Sequence, residues 1–282
     1  MTVNKIITHK TRKDQQAQFV SDKTTTMSTF KLDNRIEDTG TVITGMVVTD
    51  DDHLLLCDHN SENNKLVTVY YPNGKYMKKI YVMYRPWDIA ILPKTHRAVV
   101  TFANKKMQFI NLQTFTQDDK LIILPNSTAI YGITATSDNI IVGDQGRIHC
   151  LDTEGKYLRT ITLSKESITH HLSIGHNNQT IYYSTTSSIN CVKLDGTEVF
   201  SYEIPNEENH RKIAIDRNGN LYVAGFDTNT IQRLHSNGTV DCAVLNEGDE
   251  VKGPMSICFN KSCDKLYMAN LMSCTVHVYS CS

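Results

Sequence analysis

No run of apolar residues in this chain approaches the roughly 18 that a membrane-spanning helix needs. The polar stretch Met1–Phe30 has no apolar core of the kind a secretory signal carries, and the expectation is a cytoplasmic protein. Neither sign of charge is in excess: 29 Lys and Arg stand against 30 Asp and Glu, a net charge of −1. A balance so near neutral gives no long-range pull toward nucleic acid or anionic membrane. Cysteine is sparse, eight in 282 residues, and no two form a C-x-x-C pair. That excludes a disulfide scaffold and fits a reducing compartment. Cys258, Cys263, Cys274 and Cys281 crowd the last fifth of the chain, but their spacings match no zinc-finger pattern and they read as plain thiols. The sequons at Asn126, Asn178, Asn237 and Asn260 read as chance matches without a secretory route. No G-x-S-x-G, phosphate-binding loop or H-E-x-x-H occurs.

What the chain does have is a repeat. The segment 212–245, KIAIDRNGNLYVAGFDTNTIQRLHSNGTVDCAVL, reads as four short strands with Asn-Gly turns. Asn-Gly between alternating apolar runs marks a hairpin, and a type I′ turn needs φ > 0 at both central residues. Four antiparallel strands in about 40 residues make one propeller blade. First strands of such units start near Val47, Ile89, Ile133, Leu172, Ile213 and Ile257. Second strands follow as HLLLCD, RAVVTF, NIIVGD, TIYYST, NLYVAG and KLYMAN. The strands of each unit are lettered a to d in chain order. The predicted fold is all-β: a six-bladed propeller of four-stranded antiparallel blades. The sixth unit ends before a strand d, and the alternating residues Thr29–Leu32 are expected to supply it and close the ring. Residues 1–25 read as a flexible polar leader or linker remnant, and 26–282 as the propeller.

The pattern I-A-I-D-x-x-G-N-L-Y-V-A at 213–224 resembles the NHL repeat. RPWDIAILP (85–93), GITATSDNIIVGDQGRIHCLDTEGKYLRTI (132–161) and GPMSICFNKSCDKLYMAN (253–270) look like the C-terminal propellers of invertebrate tripartite-motif-like proteins. The resemblance covers about residues 29–282. It implies a protein-recognition scaffold that selects the substrate or partner of a ubiquitin ligase. No cysteine precedes Cys57, so no RING or B-box zinc site lies in this sequence and ligase activity does not carry over. The expectation is a non-catalytic binding module with no cofactor and no metal.

Strand direction alternates within a blade. The a–b and c–d turns therefore share one face, and the b–c and d–a loops the other. The second face carries the longer connections, where function concentrates on a rigid scaffold, and is the expected face for a protein or peptide. Its candidate residues are Arg85, Trp87, Asp88, Lys105, Lys106, Arg147, His170, His171, His210, Arg211 and Lys212. Nine basic and ten acidic residues fall on this face, which opposes a phosphate-tracking surface. RNA is the alternative partner, since relatives of the fold bind it with this face and Arg85, Lys105 and Lys106 form a local basic patch. A third alternative is a calcium-dependent lactone or ester hydrolase. Calcium takes six to eight oxygens, and the residues taken to precede the strands a are Met46, Asp88, Gly132, His171, Lys212 and Ser256, with one carboxylate among them. His170-His171 reads as a surface pair. Trp87 reads as packing between blades one and two, or as an anchor for a bound peptide.

Overall fold

A computed structural model describes residues 30–37, 39, 42–59, 65–127, 129–204 and 212–281. The proposed leader, 1–25, and the candidates His210 and Arg211 lie outside the described residues. The architecture is a ring of six sheets, each of four antiparallel strands. Blade one is typical, with strands Ile43–Val48, Leu54–Asp58, Leu66–Tyr70 and Tyr76–Tyr81. In blade six, Pro254–Phe259, Lys265–Asn270 and Thr275–Cys281 are completed by Phe30–Glu37, which pairs antiparallel with the last of them from Phe30 opposite Cys281 to Glu37 opposite Thr275. The expected closing strand is therefore present and runs five residues past Leu32. Closure removes the open edge that an incomplete blade would expose. Among the described residues the one helix is a 3-10 turn, Glu247–Asp249, and no helix is long and apolar enough to cross a membrane.

There is no single core. Six apolar clusters form, one between each pair of adjacent blades. That between blades two and three, for example, joins Met107, Phe109 and Ile122 to Ile130, Ile140 and Val142. Strands b are buried on both faces because a blade lies on either side, so they read as near-continuous apolar runs. Strands d lie at the rim, and in Tyr76–Tyr81 only Ile80 is buried.

The turns differ from expectation in type. At the c–d turns Gly74, Gly155, Gly196 and Gly238 have φ of 80°, 81°, 93° and 84°, while the residue before each glycine keeps negative φ. Each turn closes with the glycine N–H donating three residues back, as Gly155 does to Asp152 at 3.0 Å, and the ladder slips by one residue just before it. This is a type I turn followed by a left-handed glycine and bulge, not a type I′ turn. Blade two also places a left-handed residue at its c–d turn, Phe115 at φ 50°, but its ladder shifts earlier, between Gln108 and Ile110.

Candidate functional site

The six strands a share one register. Met46, Ile89, Ile133, Leu172, Ile213 and Ile257 pair with Leu56, Val100, Val142, Tyr183, Val223 and Met268, the same position of every strand b. The residues one step earlier, at the channel, are thus Gly45, Asp88, Gly132, His171, Lys212 and Ser256. The expected Met46 is displaced to Gly45 by a bulge between Ile43 and Gly45.

Three of these residues meet across the channel. The Asp88 carboxylate accepts from His171 Nδ1 at 2.8 Å, from Lys212 Nζ, and from the backbone N–H of Ile89 at 2.9 Å. All three are buried, at 1%, 7% and 6% exposure. Two glycines make the approach possible. A Cβ at Gly45 would lie 2.9 Å from Asp88 Oδ1, and one at Gly132 would lie 2.5 Å from His171 Cα. Burial opposes ionisation of Asp88, but the Lys212 ammonium and His171 outweigh it and hold the carboxyl below its ordinary value. Burial and the same ammonium pull His171 down. Its Nδ1 faces the Asp88 carboxylate, and its Nε2 lies 3.3 Å from the Ile213 carbonyl oxygen. The expectation that His170-His171 is a surface pair is corrected: both are buried, because one faces the channel and the other packs beside it.

One further residue back lies a second motif, on the face of the b–c and d–a loops. Trp87 stands edge to face with Tyr131 (centroids 5.4 Å apart, planes at 76°) and with His59 (5.1 Å, 83°), and Tyr131 lies 5.8 Å from His170. The row spans blades one to four. His59 Nδ1–H donates to the Pro86 carbonyl and its Nε2 accepts from Arg85, both at 3.0 Å, so Arg85 is oriented by the row. Trp87 is half-buried, as are Arg85 and Tyr131. Lys106 donates to Tyr84 Oη at 2.5 Å and lies 4.2 Å from its ring centroid, while Lys105 is exposed. Arg147 is apart from the row and binds Asp144 at 3.1 Å, a carboxylate that also meets His149. The structure thus brings the half-buried Trp87 and Arg85 together with the buried His170 at the channel mouth, and Asp88, His171 and Lys212 together beneath them. Tyr131 and His59 were not among the expected residues. Tyr131 was findable, because it sits at the same register position as Trp87 and His170.

Beyond the ion network the channel widens into a cavity of about 1270 Å³ that opens on the opposite face. Its walls carry small side chains two residues past the channel ring: Val47, Ala90, Thr134, Ser173, Ala214 and Cys258, with His171 and Lys212 at the floor. Among the described residues no three His, Cys, Asp or Glu side chains stand together as metal ligands would.

No family model matches the chain, and no curated protein matches it. Solved structures do. A virginiamycin B lyase from Staphylococcus aureus aligns with a TM-score of 0.67 at 16% identity, over 89% of this chain and 99% of that one. A streptogramin B lyase aligns at 0.64 and 16%, over 90% and 98%. Hydrazine synthase of Kuenenia stuttgartiensis aligns at 0.65 and 14%, over 92% and 99%. At such identities the likeness shows the fold: this chain is a six-bladed β-propeller. It also corrects the expectation that the chain is not an enzyme. Enzymes are built on this same fold, so neither the fold nor the missing sequence motifs exclude catalysis.

Proposed function

We propose that the protein recognises a segment of another protein on the face of the b–c and d–a loops, in the manner that the resemblance to NHL propellers of tripartite-motif-like proteins implies. The observation that carries this reading is the row His59–Trp87–Tyr131–His170 beside the channel mouth, with Arg85 held against it. Binding energy concentrates in aromatic and arginine side chains at the centre of a contact, and a row built across four blades is a preorganised surface for them. The ion network beneath supports the row, since Asp88 and His171 are the next residues along the chain from Trp87 and His170.

The test begins with peptides selected from a displayed random library against the folded protein. Tyr131→Ala is expected to weaken their binding by about 2 kcal/mol or more, as truncation at a hot spot does, without loss of the cooperative melt. Binders indifferent to Tyr131→Ala and Trp87→Ala would overturn the reading. Because enzymes share this fold, the mass of the bound peptide is followed as well as its affinity.

A second reading rests on the cavity of about 1270 Å³, large enough for a small organic ligand seated on His171 and Lys212. The two readings place the ligand on opposite faces, and locating the bound molecule separates them.

A further inference from the structure

The near-zero charge sum of the recognition face conceals a segregation. Over blades one to three the described cations are Lys65, Arg85, Lys105, Lys106 and Arg147, with Lys65 and Lys105 exposed. Among the described residues the acids of the same half, Asp58, Asp88 and Asp144, are withdrawn at 8%, 1% and 0% exposure, and the exposed Lys165 and Glu166 offset each other at its border with blade four. Asp58 accepts from the Val42 N–H, and Asp144 accepts from Arg147 and lies against His149. Over blades five and six the balance reverses. Asp227 and Glu247 are exposed, Asp249 and Glu250 half-buried, and the described bases are Lys252 and Arg35, the latter already bound to Glu250. The aromatic row runs from blade one to blade four and so lies largely within the positive half.

We propose that the segment taken by the row is acidic: an apolar or aromatic anchor flanked by Asp or Glu, laid across blades one to three, with its carboxylates on Lys65, Arg85 and Lys105. This rests on the recognition reading above and adds to it the chemistry of the partner and its position on the ring. Complementary charge sets where a segment lands and in which orientation, and the acidic half repels a carboxylate-bearing chain from blades five and six. The geometry disfavours nucleic acid in the same place. The rings of the row meet edge to face, at 76° and 83°, so they cover one another where stacked bases need open faces. A long polyanion tracking the face would also run onto the acidic half.

The experiment uses three labelled synthetic peptides with identical Leu and Phe anchors, flanked by Glu and Asp, by Gln, or by Lys, with fluorescence anisotropy as the readout. The acidic peptide is expected to bind about tenfold more tightly than the Gln peptide at low salt, and to lose that advantage as salt rises. Lys65→Glu with Lys105→Glu, both at exposed positions, is expected to abolish the advantage with the melt unchanged. Equal binding of the acidic and Gln peptides, both weakened by Tyr131→Ala, would overturn the acidic partner and leave recognition by the row standing. No binding by any peptide, or binding indifferent to Tyr131→Ala, would overturn both. Displacement of the acidic peptide by a uridine-rich oligonucleotide at lower concentration, or dimerisation of the protein through this face without peptide, would likewise contradict the proposal.

Discussion

Asp88, His171 and Lys212 come from blades two, four and five and are far apart in sequence, yet they share one buried carboxylate. Such a group is costly to strand. Lys212→Met leaves the carboxylate with one counter-charge fewer and is expected to destabilise the protein by about 3–5 kcal/mol, the usual cost of breaking a buried pair. The double variant Asp88→Leu with Lys212→Met is expected to be more stable than the sum of the singles, a coupling that urea denaturation reads directly. Additive losses would mean the three groups do not act as a unit. The network also sets a pH dependence. Burial lowers His171 below the ordinary value of about 6.5, so the unfolded chain takes up its proton first and stability is lost as pH falls below that value. Asp88 is also lowered, burial being outweighed by Lys212 and His171; its contribution is present above about pH 3.9 and disappears as pH falls through the native value. His171→Gln should therefore flatten the fall in urea midpoint between neutral and mildly acidic pH. The ring of residues before strands a was legible in the sequence in five of six blades. Blade one slipped by one because the bulge between Ile43 and Gly45 cannot be read from alternation. Burial of both histidines was not legible either, since the two glycines that admit the network lie in other blades.

Strands announced themselves more plainly than single residues did. Period-two alternation and glycine turns placed all six blades, because each blade repeats the same burial problem between two neighbours. The turn subtype was misread: Asn-Gly is compatible with both conformations, and the bulge that distinguishes them is a property of the paired strand. The closing strand Phe30–Glu37 is the element on which the ring depends. Ile36 is buried at 3% exposure, Phe30 and Leu32 pack against the cluster between blades five and six, and Arg35 joins Glu250, which in turn lies 2.9 Å from His277. Removing residues 1–37 is expected to lower stability by several kcal/mol, with each lost apolar side chain accounting for about 1.5–3 kcal/mol at full burial. It should also promote association through the freed edge of the last strand. A melting temperature unchanged by that deletion would show that the ring holds without its clasp.

For the whole molecule, the symmetry of the propeller makes its departures from symmetry informative. Six blades share one register, but the aromatic row occupies only part of the ring and the surface charge divides between its halves. Loop length in the sequence is what singles out the face proposed for binding; the cavity on the other side was not legible there, because it arises from six small side chains contributed one per blade. The central claim is that the face of the b–c and d–a loops is the working surface. The measurement that tests it most directly is amide hydrogen exchange with and without a saturating selected peptide. The account predicts slowed exchange at 82–88, 102–106 and 129–132, on the connections that carry the row and its flanking cations. Protection confined instead to 49–53, 93–96 and 174–178, around the mouth of the cavity, would contradict it.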